Sequence, residues 1–259
     1  MHLSLEKATF YRSGNAILKG IDLRLEEGRH YCLIGPNGAG KTTLLSLICG
    51  MDWPTTGKVF VHTDDGIEHP AHVKAMFGHF FPRYAAHIEA YHPDITALEL
   101  ISTGFRQALA YYHEASPEEW QAARTFFRKY VQSTEETRAF STMSTGERFR
   151  MLLLRSLVTH PAVLILDEPF DGLDLPARAA FERLIASTLE EHARLSLSVL
   201  HRIEEVPEFV TDIILLKEGQ ILASGVKADV LTSQNLSDLY DMKLICREHN
   251  GRYYVLHDG

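Results

Sequence analysis

Lys41-Thr42-Thr43 closes the run Gly35-Pro36-Asn37-Gly38-Ala39-Gly40, and the stretch fits the spacing G-x-x-x-x-G-K-[ST] position by position. The chemistry of that spacing is phosphate binding. Glycines let backbone N–H groups turn inward on phosphate oxygens, and the start of a following helix adds the positive end of its dipole. Lys41 can then neutralise the β- and γ-phosphates, while the Thr42 hydroxyl is a hard oxygen ligand for Mg²⁺. Farther along, Asp167-Glu168 ends the apolar run Val163-Leu164-Ile165-Leu166. Two adjacent carboxylates at the end of a buried strand are costly without a cation, and a Mg²⁺ over the phosphate loop supplies one. In this reading Asp167 holds the metal and Glu168 is free to act as a base. The bland alternatives are a chance glycine-rich turn and a surface acidic pair; the flanking sequence argues against the first, and the apolar Ile165-Leu166 against the second.

The surrounding segments must position these groups. Tyr31 to Ile34 predicts a buried strand leading into the loop, and Thr43 to Ile48 predicts the helix after it. Upstream, Leu3 and Leu5, then Ile21, Leu23 and Leu25, alternate with polar neighbours, so two half-buried strands are expected around the turn Arg12-Ser13-Gly14-Asn15. Tyr11 stands where the first strand gives way to that turn, and its face can either stack on an adenine ring or simply rim the fold. After the first helix, a turn at Thr55-Thr56-Gly57, a strand from Lys58 to Val61 and a turn at Asp64-Asp65-Gly66 predict a hairpin, and Val73 to Phe77 predicts the next strand. Six of the 14 histidines fall between His62 and His92 at spacings that match no metal pattern, which predicts a solvated polar loop.

From Thr96 the apolar period is helical, through Leu98, Ile101, Phe105, Leu109 and Tyr112. Ser116-Pro117-Glu118-Glu119 opens a second helix that carries Trp120, Ala123, Phe126, Phe127 and Tyr130 toward one face. A helical block is thereby inserted into an otherwise alternating α/β chain. Met143-Ser144-Thr145-Gly146-Glu147-Arg148 precedes an apolar helix from Phe149 to Val158, and Pro176 to His192 predicts another. Leu197 to Leu200 reads as a strand ending at His201. Ligands of open parallel sheets bind outside the carboxyl ends of the strands, which places His201 with Lys41 and Glu168 if their strands are neighbours; a satisfied rim histidine is the alternative. Hairpins around Glu218-Gly219 and Asn250-Gly251 complete the chain without evident chemistry.

With 259 residues, 45% of them hydrophobic, the chain can hold one large α/β domain or two small ones around a real core. The balance of 26 basic against 34 acidic residues, spread along the chain, argues against a nucleic-acid partner. No apolar run approaches the about 20 residues that span a bilayer, and the first residues lack the pattern of a signal peptide, so a cytoplasmic place is expected. Cys32, Cys49 and Cys246 show no C-x-x-C spacing and are expected as small buried apolar residues.

Taken in order, these stretches resemble an ATP-binding cassette (ABC) ATPase over nearly the whole chain. Gly35 to Thr42 is similar to the family's Walker A loop, Ser144-Thr145-Gly146-Glu147 to its signature usually written LSGGQ, and Leu164 to Glu168 to Walker B with its catalytic glutamate. Asp171-Gly172-Leu173-Asp174 resembles the D-loop, His201 the switch histidine and Tyr11 the adenine-stacking aromatic. The resemblance implies an α/β P-loop NTPase fold: a RecA-like core over about 1–80 and 155–225, an antiparallel β subdomain, an inserted helical subdomain over about 92–154 and a C-terminal extension over 226–259. It implies ATP and Mg²⁺ as ligands. It also implies a head-to-tail homodimer in which Ser144 and Gly146 of one protomer face the γ-phosphate held by the other's loop.

Three departures stand out. Met143 and Thr145 replace the usual Leu and Gly of the signature. No glutamine follows the expected strand from Val73 to Phe77, and Gly78-His79-Phe80-Phe81-Pro82-Arg83-Tyr84 stands there instead. His79 is the nearest candidate for the missing amide, with a solvated loop histidine as the alternative. Finally, His201-Arg202-Ile203-Glu204-Glu205-Val206-Pro207 is similar to cassettes of molybdate- or iron-chelate-type importers. The expected function is an ATP-binding and ATP-hydrolysing transporter subunit, peripheral to the inner face of the membrane, that drives a permease carried on separate chains. A soluble ABC ATPase that remodels or regulates a macromolecule is the alternative from another class, and an adenylate-kinase-like phosphotransferase would not need the Ser144 to Glu147 signature.

Overall fold

The structure, a computed structural model, describes residues 1–106, 115–131 and 135–257; the expected helical positions Leu109 and Tyr112 lie outside them. In chain order the strands are β1 (His2–Arg12), β2 (Asn15–Glu26), β3 (His30–Ile34), β4 (Thr56–Thr63), β5 (Gly66–Glu68), β6 (Phe77–Phe80), β7 (Val163–Asp167), β8 (Leu195–Leu200), β9 (Asp212–Lys217), β10 (Gln220–Val226), β11 (Leu244–His249) and β12 (Arg252–His257). The helices are α1 (Lys41–Ile48), α2 (Arg83–Tyr91), α3 (Ala97–Ser102), α4 (Pro117–Tyr130), α5 (Thr145–Leu157), α6 (Leu175–His192), α7 (Lys227–Val230) and α8 (Ser233–Tyr240). They divide into two compact units, Met1–Lys74 with Arg194–Gly259, and Ala75–Ala193.

In the first unit, β1 pairs antiparallel with β2 on one side and β4 on the other, and β5 closes the edge. The alternating pattern supplies the reason: Leu3, Leu5, Leu18, Leu23 and Leu25 are buried, while Asp22, Arg24 and Glu26 of β2 face out. A second sheet places β3 between β8 and β9, parallel to both, with β10 antiparallel on β9. Strand β3 is apolar on both faces, as a central parallel strand must be. The expected turn at Thr55-Thr56-Gly57 is instead the start of β4, because pairing of Thr9 with Thr56 carries the ladder past Gly57.

In the second unit, β6 runs parallel to β7. Helix α4 begins as its sequence predicts, with Ser116 and Glu119 forming a reciprocal capping box and Pro117 in the first turn. Phe80, Phe149, Phe170 and Phe181 form an aromatic core beneath the strand pair.

Two expectations need correction. The strand expected over Val73 to Phe77 is displaced: Pro70–His72 and Lys74–Met76 are short 3-10 turns, and the strand is β6, Phe77 to Phe80. Pairing with β7 sets that register, and a Cβ at Gly78 would stand 2.2 Å from Ser156 O, so the backbone lies flat on α5 where side chains elsewhere in the segment would collide. The histidines between His62 and His92 are likewise no solvated loop. His69 stacks on Trp53 at 3.6 Å, His62 stacks on His2 at 4.0 Å and bonds Ser4 Oγ, and His87 lies within the unforeseen helix α2, whose C-terminal end His92 caps. Cys32 and Cys49 are buried as expected, but Cys246 is only half-buried, on the C-terminal hairpin.

Candidate functional site

The glycine loop is built by close packing. Gly35 leaves the end of β3 with its backbone against β9: an added Cβ would lie 2.2 Å from Leu216 O. Pro36 is half-buried, Asn37 and Gly38 are exposed, and Ala39 is buried. Gly40 has φ 103° and precedes α1 without offering any side-chain cap, so no side chain competes for the amides of the helix's first turn. Lys41 is 7% exposed, and its Nζ donates to Gly35 O at 2.7 Å and Pro36 O at 3.1 Å, which lays the side chain along the loop. Thr42 is exposed and Thr43 buried. An expected result follows from the packing: Gly35→Ala lowers the melting temperature by several degrees and abolishes binding of a fluorescent ATP analogue, because overpacking of about 1–3 kcal/mol must displace the loop. Wild-type binding in a folded Gly35→Ala protein would contradict it.

The same unit brings Tyr11 and His201 to this loop. Tyr11 is half-exposed at 50% and pairs with Ala16, and the neighbouring Ile17 O would lie 3.1 Å from a Cβ at Gly40. His201 follows β8, whose Leu200 pairs with Ile34 of β3, so the exposed histidine and Gly35 stand at the same level beyond the two strands. Sequence reasoning missed the β9–β10 turn as part of the site: Gly219 N donates to Ala39 O at 3.0 Å and buttresses the loop from the far end of the chain. Glu218-Gly219 is legible as a turn, but nothing local connects it to Ala39.

The second unit holds the remaining predicted residues. Asp167 is the half-buried last residue of β7, and Glu168 follows with φ 51°, a left-handed conformation that costs a non-glycine residue roughly 1–2 kcal/mol. Asp171 N donates back to Glu168 O at 3.2 Å, and Asp174 Oδ1 accepts from Ala177 N at 2.8 Å to cap α6. Ser144 caps α5 through a reciprocal box: Glu147 N donates to Ser144 Oγ at 3.4 Å, while Ser144 N and Oγ donate to Glu147 Oε2 at 2.8 and 2.9 Å. Arg138 Nη1 holds the other Glu147 oxygen at 2.7 Å. Gly146 sits in the first turn of α5, where the nearest atom to an added Cβ is Ala177 Cβ at an ordinary 3.6 Å.

His79 is not in a loop after a strand but inside β6, opposite Ile165 and two residues short of the level of Asp167. Its ring stacks between Phe77 and Phe81, and burial, helped by the charge of Arg155, pushes its pKa down from 6.5 to about 4. It is therefore neutral between about pH 6 and 7.5. The sign of its effect on stability follows from linkage. Between pH 6.5 and about 4 the unfolded chain binds the proton that the folded chain refuses, so stability falls as pH falls through that window, by up to about 3 kcal/mol. His79→Phe keeps the stack and removes this dependence, so the melting temperature of the variant should gain on wild type steadily from pH 6.5 down to 4. Parallel curves would show that His79 is not buried neutral.

A family model described as ABC transporter matches residues 18–171. The chain is 33% identical over 247 residues to the uncharacterized ABC transporter ATP-binding protein YlmA of Bacillus subtilis, covering 93% of this chain and 91% of the relative. Its fold is similar to the ADP conformation of MJ1267, an ATP-binding cassette of an ABC transporter, with a TM-score of 0.78 at 21% identity over 93% of this chain and 99% of that one. It is similar also to the dimeric post-hydrolysis state of the ATP-binding cassette MJ0796 bound to ADP and Pi, with a TM-score of 0.68 at 23% identity over 86% and 98%.

Proposed function

The chain belongs to the ABC transporter family as an ATP-binding and ATP-hydrolysing subunit, and from that premise we propose how its residues divide the work. Gly35 to Thr43 holds the nucleotide phosphates, Lys41 neutralises the β- and γ-phosphates, and Tyr11 stacks on the adenine. The observation that carries this reading is the left-handed Gly40 before a helix that no side chain caps, a cradle whose donors suit an anion. Thr42 and Asp167 hold Mg²⁺. Their oxygens are the hard donors that Mg²⁺ prefers, so these two residues would hold the ion when it is bound. When bound, Mg²⁺ supplies charge neutralisation at the phosphates. Glu168 takes the proton of the attacking water, and His201 contacts the γ-phosphate end from the tip of β8.

Two chains pair head to tail, so that Ser144 and Gly146 of one complete the nucleotide site of the other. The family's membrane partners are separate permease chains, and the subunit sits on the inner face of the membrane. Among the described residues no helix is long and apolar enough to cross a membrane, so a spanning partner is supplied in trans. Residues 92–154 form the helical subdomain and 226–259 an extension of the core. The test is affinity purification of the tagged chain from detergent-solubilised membranes of its host. Recovery with an integral membrane protein at constant ratio is expected. Recovery only with soluble macromolecules would replace the transport reading by that of a soluble remodelling or regulatory ABC ATPase.

A further inference from the structure

Arg155 lies on α5 with 6% of its surface exposed. Its Nε donates to Thr103 Oγ1 at 2.8 Å, the Thr103 hydroxyl donates in turn to Leu100 O at 2.7 Å, and the guanidinium stands 6.0 Å from the centre of the Tyr84 ring. A guanidinium has five N–H donors. Among the described residues the other four meet no acceptor, and no carboxylate pairs with the charge. His79 Nδ1 is fully buried and likewise meets no hydrogen-bond partner.

His79 Nδ1 belongs to the same neighbourhood. Its ring stacks on Phe81, Phe81 meets Tyr84 edge-on at 5.3 Å, and Tyr84 faces Arg155, while Gly78 presses β6 onto α5 beside Ser156. The charge of Arg155 is near enough to help hold the imidazole neutral. Two polar groups that share no partner thus stand at one interface of β6, α2 and α5. Removing a guanidinium from water without a counter-ion is costly, and an anion from outside the chain offsets that cost.

We propose that Arg155 and His79 form a binding site for a carboxylate group, held by the planar fork of Arg155 and by His79 Nδ1–H. The planar fork matches a carboxylate in two parallel hydrogen bonds. The carboxylate comes either from a free small acid or from an acidic side chain of a protein bound at α2, where Tyr84, His87 and Tyr91 recur at helical spacing and Tyr91 is 70% exposed.

Thermal unfolding of the whole chain tests this, with sodium acetate and a hexaglutamate peptide compared with sodium chloride at matched ionic strength. Wild type gains about 2 °C or more with a carboxylate. Arg155→Met removes that gain and, in chloride, melts close to wild type or above it, because an apolar side chain of similar length replaces an uncompensated charge. A gain with acetate alone assigns a free acid, whereas a larger gain with the peptide assigns an acidic protein segment. Equal responses of wild type to carboxylate and chloride overturn the proposal, as does an undiminished response in Arg155→Met. Should Arg155→Met fail to fold, His79→Phe decides: a response reduced at least about twofold supports the site, and a full response overturns it.

Discussion

Glu168→Gln lowers ATP turnover by at least about a hundredfold while leaving ATP bound, since proton transfer by a placed base contributes roughly 10²–10⁴ in rate and the phosphate contacts lie elsewhere. The backbone adds to the argument. Glu168 holds φ 51°, and the chain turns back at once through Asp171 N to Glu168 O, so a tight turn fixes this residue in a conformation an unconstrained glutamate avoids. Glutamine is isosteric and keeps that turn, which separates loss of the base from loss of the loop. The variant should accumulate as an ATP-bound dimer, visible as a doubled mass by light scattering with MgATP. Hydrolysis at the wild-type rate would remove Glu168 from the role of base.

Gly146→Ala separates stability from activity in the opposite direction. Glycine in the first turn of a helix is less favourable than alanine by roughly 0.5–1 kcal/mol, and the added Cβ meets only Ala177 at 3.6 Å, so the variant should melt a degree or more above wild type. Nothing within the chain calls for glycine there. In the proposed head-to-tail pair the reason lies outside it, in the close approach of a nucleotide held by a second protomer. ATP-dependent dimerisation and turnover should fall about tenfold or more in the stabilised protein. Mixing Lys41→Ala with Ser144→Arg subunits gives the complementary result, one intact composite site per mixed dimer. A Gly146→Ala protein with full turnover, or ATP-bound protein that stays monomeric at every concentration, would end the composite-site account.

Much of the molecule was legible because its signals are local. The phosphate loop needs backbone freedom and a lysine at fixed offsets, so Gly35 to Thr43 declares itself in nine consecutive residues. The capping serine Ser116, followed three residues later by glutamate, announced a helix that begins where that pair stands, whereas α5, expected from Phe149, begins earlier at Thr145 because Ser144 and Glu147 cap it. The turns at Ser13-Gly14, Glu218-Gly219 and Asn250-Gly251 all lie in left-handed backbone and close hairpins as their composition requires.

The segment from Val73 to Tyr91 was misread for a physical reason. Val, Ala, Met and Phe suit several local structures, and what selects β6 is its ladder with β7 together with the contact of Gly78 on Ser156, partners far away in the chain. Sequence alone therefore identified an ATP-binding cassette ATPase, because the glycine loop, the acidic strand end and the serine-glycine stretch before α5 are each a pattern within a few residues. Tertiary structure alone decided that His79 is a half-buried, neutral ring, that Gly219 props the glycine loop and that Arg155 is a buried cation with no carboxylate beside it among the described residues. Each of these depends on which distant residues share an interface, and burial, pKa and unmet hydrogen-bonding capacity exist only once that interface has formed.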